Sequence, residues 1–438
     1  MIEYRNLKVA LLGGGSVGAN VASLLLEHGD ELASRTGAGV ELIGVAVRDL
    51  EAKRSPEIPK ELLTTDAESL ILGADIVIEL IGGLEPARSL VLKALNSGAD
   101  VITGNKALLA THGPELFEAA EQVGAQLYYE AAVGGAIPII RPLRDSLAGD
   151  RITRILGIVN GTTNYILDLM DSEGATMESA LATATELGYA EADPTADVGG
   201  YDAAQKAAIL ASLAFHTTVP LESVYREGIT EVTLEQVQAA RKAGYVVKLL
   251  AVAERIAVPG STEFGVSTRV HPALIPIGHP LSTVREAKNA VFVEAEAAGS
   301  LMFYGAGAGG RETASAVLGD LVSAARRHVV GGPGVAESTN ANLTVLPMAA
   351  VTTRYQITLE VVDQPGVLAA IAALFAAHDV SVETVSQSVV GHGDDSPTAT
   401  LVIGTHSATE AALASTVEDL KSNSVVSSVV SVLRVEGL

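Results

Sequence analysis

The sequence has no cysteine and no tryptophan among its 438 residues. Without cysteine there is no disulfide, no zinc–thiolate site and no thiol nucleophile. That fits a reducing cytosol without requiring one. Aromatic residues make up only 4%, so a stacking platform for sugars or nucleobases is not expected. No uninterrupted apolar run reaches the ~18 residues that a membrane helix needs. The start, Met1-Ile2-Glu3-Tyr4-Arg5, lacks a signal-peptide core. Basic residues are scarce as well: 29 Lys and Arg stand against 52 Asp and Glu, a formal net charge of −23. Such a surface repels phosphate backbones and anionic lipid, which excludes general nucleic-acid or membrane binding. It leaves room for a local basic pocket that takes one anion. A cytoplasmic protein is expected.

Apolar residues are 48% of the chain, far from a disordered composition. At roughly 150 residues per domain the length predicts about three domains. Short apolar runs at 7–12, 40–47, 76–81, 99–103 and 126–129 alternate with helical segments. This pattern predicts a doubly wound parallel α/β sheet. From Arg151 the character changes to an α+β mixture. A strand is predicted at 152–159, a helix opened by Asn160-Gly161-Thr162-Thr163, and a helix at 176–187 ended by Gly188. An acidic loop at 189–200 leads into an Ala-rich helix from Tyr201 to His216. Further strands are predicted at 263–270 and 290–297, then a glycine turn at 305–310 and a helix at 313–327. Val330 to Ser338, with Gly331-Gly332-Pro333-Gly334, reads as linker. In the last segment Tyr355, Ile357, Leu359 and Val361 alternate as in a half-buried strand. Gln364-Pro365-Gly366 opens a helix. Strands at 380–390 and 398–405 flank a Gly-Asp-Asp-Ser-Pro turn. Ser407 and Glu410 are predicted to form a capping box, and 425–435 is the last strand. The order βαββαβ is ferredoxin-like.

Gly13-Gly14-Gly15-Ser16-Val17-Gly18 follows the first strand and satisfies G-x-G-x-x-G. Gly13 allows the tight turn, Gly15 lets backbone approach a pyrophosphate, and Gly18 lets helix and strand pack closely. The helix N-terminus, with Ser16 and Val17, offers free N–H groups and a positive dipole end. Gly14, Ser16 and Gly18 also satisfy the nucleophile elbow G-x-S-x-G, so a hydrolase or a purely structural turn stays open. Being the first strand favours the dinucleotide. After the second strand comes Arg48-Asp49, with Lys53-Arg54 beyond. Arg48 suits the 2′-phosphate of NADP; Asp49 keeps NAD open.

Glu191, Asp193, Asp197 and Asp202 crowd one stretch, and Lys206 is the only Lys or Arg between Arg154 and Arg226. Asp202 and Lys206 are four apart and share a helix face lined by alanines. One reading is a surface ion pair beside a solvated loop. The other is a pocket whose carboxylates grip a substrate ammonium while the lysine transfers a proton. Lys106, in Thr103-Gly104-Asn105-Lys106, sits at the carboxyl end of a predicted strand, where such sheets bind ligands; it is also an ordinary helix-start lysine. His112, His216 and His271 show no metal-ligand spacing and read as structural.

Taken together these motifs resemble the homoserine dehydrogenase family, in the form with a C-terminal ACT domain. The most specific element is Leu187-Gly188-Tyr189-Ala190-Glu191-Ala192-Asp193-Pro194-Thr195-Ala196-Asp197-Val198, continuing through Asp202 to Lys206. Supporting it are Thr103 to Ala107, Tyr129 to Pro138, Asn160 to Tyr165, Gly305 to Gly309 and the Asp363-Gln364-Pro365-Gly366-Val367 helix start. The resemblance implies a Rossmann nucleotide-binding domain at 1–140, a catalytic and dimerisation domain at 141–310, and a helix at 311–330 returning to the nucleotide domain. A linker at 331–350 then leads to an ACT domain at 351–438. It implies reduction of L-aspartate 4-semialdehyde to L-homoserine with the reduced form of NADP, or of NAD, on the route to threonine, isoleucine and methionine. Hydride attacks the aldehyde carbon while a lysine ammonium stabilises and protonates the oxygen. On the matching positions, Lys206 is the proton donor and Lys106 lies beside cofactor and substrate. Glu191, Asp202, Asp197 and Thr162 bind substrate, and Gly188 and Gly309 contact the cofactor. Backbone oxygens near Glu130, Val133, Gly135 and Ile137 resemble a monovalent-cation site, usually sodium. Gly199-Gly200 departs from the family's usual polar pair, and a more mobile loop is expected there. The ACT segment implies feedback by L-threonine, or oligomerisation without ligand, in a homodimer or homotetramer. A different Rossmann oxidoreductase and a silent amino-acid sensor are the competing readings.

Overall fold

The computed structural model describes residues 6–332, 337, 339–390 and 398–437. The segment before Asn6, most of the Gly-rich linker and the Gly-Asp-Asp-Ser-Pro turn therefore lie outside the described residues. The chain divides into two compact units. One comprises Met1–Gly161, Asp202–Val224 and Ala287–Leu343; the other comprises Thr162–Tyr201, Tyr225–Glu286 and Thr344–Leu438.

The first unit is built on a six-stranded parallel sheet of β1 (Leu7–Leu12), β2 (Val40–Ala46), β3 (Leu63–Thr64), β4 (Ile76–Glu79), β5 (Asp100–Thr103) and β6 (Leu127–Tyr128). The order is β3-β2-β1-β4-β5-β6, and every neighbouring pair is parallel. β1, β4 and β5 are short apolar runs because both their faces are covered. The strand order reverses at β1 and β4, which opens a ligand crevice at their carboxyl ends. Helix α1 (Ser16–Glu27) packs Ala19, Ala22 and Leu25 into this core together with Ala314, Val317 and Leu321 of the helix Gly310–Val330. That later helix thus completes the nucleotide sheet's covering. The same unit holds an antiparallel set in which Lys288–Ala295 pairs with both Ile152–Ile158 and Gly299–Ala306. Gly299–Ala306 is a strand where the sequence indicated only an approach to a turn.

In the second unit Tyr245–Ala257 and Phe264–Pro276 form a long antiparallel hairpin. The first of these strands is absent from the sequence reading. It is wholly buried along Val246–Ala253, and a run that is apolar on both faces but for Lys248 carries no period that separates strand from helix. Val426–Val435 runs parallel to the second strand over Ala273–Leu274. It leads into the four-stranded sheet of the last segment, with Thr352–Val362, Thr398–Thr405 and Val382–Val390 following in that order. With helices Val367–Ala377 and Glu410–Ser422 this is the expected βαββαβ unit. The predicted capping box is not formed. Thr409 is the cap, accepting from the Ala412 N–H at 3.3 Å. Glu410 turns inward instead, to the Tyr355 hydroxyl at 2.8 Å and to Arg434. Among the described residues no helix is long and apolar enough to cross a membrane.

Candidate active site

The glycine turn between β1 and α1 behaves as its spacing predicts. Gly13 has φ +105°, and an added Cβ would lie 2.6 Å from the Leu80 carbonyl. At Gly18 it would lie 2.0 Å from the Gly13 carbonyl. At Gly15, by contrast, it would meet nothing within 4 Å. The turn is therefore closed where it packs and open where a pyrophosphate would rest. Gly15 caps α1 without any side-chain hydrogen bond, an arrangement in which a helix start can take an anion. Ser16 and Val17 begin that helix. Gly310, beside Gly309, comes so close to Ser16 that a Cβ there would lie 2.5 Å from its hydroxyl. Arg48 is exposed beyond the end of β2. Arg54 folds back, with its Nε 2.9 Å from the position of a Gly14 Cβ.

On the same unit three charged side chains meet. Lys206, in the helix Tyr201–Phe215, is 9% exposed. Its ammonium donates to the Asp202 carboxyl at 2.7 Å and to the Val159 carbonyl at 2.6 Å. The Lys106 ammonium lies 3.2 Å from the other Asp202 oxygen. Asn160 donates its amide to Asp202 at 3.0 Å. Burial would push the Asp202 carboxyl up, but Lys206 and Lys106 together hold it well below the usual carboxylate range. The i, i+4 pair is thus no solvated surface pair. Local sequence supplied Asp202 and Lys206; Lys106 and Asn160 arrive from just beyond the carboxyl ends of β5 and of the strand Ile152–Ile158.

The remaining acidic positions belong to the second unit. Glu191 is exposed and Asp197 half-buried. The Asp193 carboxyl accepts from the Thr195 N–H at 3.1 Å. Thr162 donates its hydroxyl to the Tyr189 carbonyl at 2.6 Å, tying a helix start to the segment after Gly188. The acidic loop contains one turn of helix, Thr195–Val198, and it is packed rather than loose. A Cβ on Gly228 would lie 2.2 Å from the Val198 carbonyl, and one on Gly199 would lie 2.7 Å from the Thr195 carbonyl. Arg226 donates to the Gly199 carbonyl and stacks 3.5 Å over the Tyr201 ring. The departure at Gly199-Gly200 therefore serves close backbone approach.

Around the expected cation position, the Glu130 carboxyl is fully buried and does not face outward as a ligand. It accepts the N–H groups of Ile139, Ile140 and Arg141 at 2.5, 2.8 and 2.9 Å. The chain then turns through Val133, Gly134 and Gly135. A Cβ on Gly135 would lie 2.5 Å from the Gly307 carbonyl, so backbone crowds backbone. Ile137 closes the turn by donating to the Gly134 carbonyl at 2.9 Å. A site here would have to be made of backbone oxygens, the donor type that suits a hard monovalent cation.

Fold and site together define a nicotinamide-dinucleotide oxidoreductase of the Rossmann type with an appended regulatory-type domain. Three family models match the chain: "Homoserine dehydrogenase, NAD binding domain" over residues 13–130, "Homoserine dehydrogenase" over 138–322 and "ACT domain" over 355–424. A homoserine dehydrogenase of Mycobacterium tuberculosis is 54% identical over 438 residues, covering 99% of each chain. The crystal structure of a homoserine dehydrogenase from Thiobacillus denitrificans superposes with TM-score 0.91 at 38% identity, covering 99% of both chains. A hyperthermophilic archaeal homoserine dehydrogenase in complex with NADPH matches 75% of this chain and 99% of its own, with TM-score 0.61 and 28% identity. The chain belongs to the homoserine dehydrogenase family, and it is an oxidoreductase acting on a CH–OH group. The esterase reading of Ser16 is thereby left without support.

Proposed function

We propose that the chain interconverts L-aspartate 4-semialdehyde and L-homoserine, with Lys206 as the proton donor to the aldehyde oxygen. The observation that carries this is the Lys106–Asp202–Lys206 arrangement. A lysine ammonium has three N–H donors. Lys206 directs one to Val159 and one to Asp202, leaving the third for an incoming oxygen. Asp202 orients that ammonium and anchors Lys106 beside it. Negative charge developing on the substrate oxygen then meets a positive group already in place, in a poorly solvated setting where it counts most. The cofactor, when bound, supplies the hydride.

Glu191, Asp197 and Thr162, with Asp202, would bind the amino-acid end of the substrate, and Gly188 and Gly309 would touch the cofactor. Gly13, Gly15, Ser16, Val17 and Gly18 would hold the pyrophosphate. NADP is the preferred cofactor in this reading, supported by Arg48 and by Arg54 lying over the glycine turn; NAD is the alternative. A sodium ion on backbone oxygens of Glu130, Val133, Gly135 and Ile137 belongs to the same reading. So do the ACT domain as an L-threonine sensor, a homo-oligomer, a cytoplasmic location and the pathway to threonine, isoleucine and methionine. The test is homoserine-dependent reduction of NADP followed at ~340 nm, the absorbance of the reduced nicotinamide, repeated with NAD and with threonine added. Turnover of homoserine by neither cofactor would end the proposal. Unchanged kinetics and no calorimetric binding at millimolar threonine would remove the sensor.

A further inference from the structure

Glu79 belongs to none of the motifs, yet it stands at the carboxyl end of β4, beside the proposed site. Its side chain is 0% exposed. One carboxyl oxygen accepts the N–H groups of Ile81 at 2.7 Å and Gly82 at 3.3 Å. The other accepts the Thr103 hydroxyl at 2.6 Å, at the end of the neighbouring β5. The Thr103 oxygen in turn accepts the Asn105 N–H at 3.0 Å. Asn105 caps the helix Lys106–Val123 by accepting from Leu108 at 3.1 Å. It also donates its amide to the Gly83 carbonyl at 2.7 Å. A closed ring results, from Glu79 through the turn at 80–83 to Asn105 and back through Thr103. Lys106 is the next residue after the cap.

An apolar side chain would be the ordinary choice in a strand whose four residues are all buried. Burying a carboxyl costs free energy unless its oxygens are satisfied, and here they are satisfied by two adjacent strand ends on the ligand side of the sheet. We propose that Glu79 is a positioning residue that fixes the start of the Lys106 helix, and so sets the Lys106 ammonium against Asp202. This rests on the reading of Lys106, Asp202 and Lys206 as the reacting site. A carboxyl accepts on both oxygens and so takes the Thr103 hydroxyl as a donor, a direction that an amide NH2 facing Thr103 would reverse. A glutamine of the same size accepts on one and turns an NH2 group toward either Thr103 or the turn.

The experiment is a double-mutant cycle on homoserine-dependent NADP reduction with the full chain. Glu79→Gln is expected to lower kcat about ten- to hundredfold, the scale of a misplaced reacting group, with KM for NADP moved less than about threefold. In a Lys106→Ala background the same change is expected to alter kcat less than about twofold, because the two residues act as one unit. Thr103→Val, which removes only the hydroxyl, should show the same pattern more weakly and carries the test if Glu79→Gln does not fold. Wild-type kcat in Glu79→Gln, or a loss that multiplies fully onto that of Lys106→Ala, overturns the inference. Wild-type kcat in Lys106→Ala alone overturns the site reading, and the inference with it.

Discussion

Lys206 and Lys248 are both buried, at 9% and 2% exposure, and they are held in opposite ways. Lys206 faces a carboxyl at 2.7 Å, and that carboxyl is bound to a second lysine. Lys248, in the strand Tyr245–Ala257, donates only to neutral oxygens: the Asn164 amide at 2.9 Å and the Val284 carbonyl at 2.6 Å. Burial pushes its pKa down to about 8, a trend opposed by Asp168 and Asp171 and reinforced by Arg285. Above that pH the neutral amine has two N–H groups, which match those two acceptors. The contrast separates two uses of a buried lysine. Beside a carboxylate, Lys206 spends two N–H groups and has one to spare. Among saturating neutral acceptors, the side chain ties structure together. Here it clamps the turn at 284–286, whose Glu286 has φ +55° and is held by Asn164 and Asp168 as well.

Removing each lysine should break the comparison cleanly. Lys206→Ala is expected to lower kcat by about 10²-fold or more, the scale of general acid catalysis, while NADPH still binds in a fluorescence titration. Activity surviving that change would refute the donor. Asp202→Asn should follow, with kcat down on the order of tenfold or more. It leaves two ammonium groups facing a neutral amide, and an uncompensated buried charge is costly. The folded Asp202 carboxyl lies below its ordinary value of 3.8. Its stabilisation is therefore complete above that pH and lost only as pH falls further toward the folded value. Urea melts at pH 5 and pH 7 should accordingly give the variant the same deficit.

Lys248→Met should leave kcat within about threefold and act on stability instead. The unfolded lysine keeps its proton up to about 10.5 while the folded one loses it near 8. Wild-type stability should therefore gain with rising pH across that window, by on the order of 3 kcal/mol at most. The variant lacks this gain and leaves the Asn164 and Val284 oxygens without a donor, at about 1–3 kcal/mol. Its deficit against wild type should therefore grow from pH 7 toward pH 10 in paired melts. A constant deficit would show that Lys248 titrates normally. A smaller effect than that of Asp202→Asn is expected from Asn160→Ala, which removes an amide donor to a carboxylate that both lysines still hold. A hydrogen bond to a charged group contributes about 1.5 kcal/mol or more, so a fall of about tenfold in kcat/KM is expected.

Much of this site was legible because its chemistry is local. The glycine turn needs only six consecutive residues, and Asp202 with Lys206 needs only one helical turn. Asn160 stands in the Asn160–Tyr165 motif without a role that the motif reveals, since its partner lies on a helix far along the chain. Glu79 carried no signal at all: one acid ending an apolar strand reads as a surface charge until β5 is laid beside it. Ser407 and Glu410 looked like a capping box from their spacing. Tyr355 and Arg434 draw Glu410 inward instead, and a buried ion pair in the low-dielectric interior outweighs a cap.

Short-range order, then, is the chain's own: where the backbone must be glycine, and which acid sits one turn from which base. Those follow from sterics and from the helical repeat. Pairings between distant segments came only with folding. β4 beside β5 gives Glu79 a hydroxyl to hold, and the fold brings Lys106 against Asp202. Such choices depend on which groups share a volume without water, and no run of neighbouring residues encodes that volume.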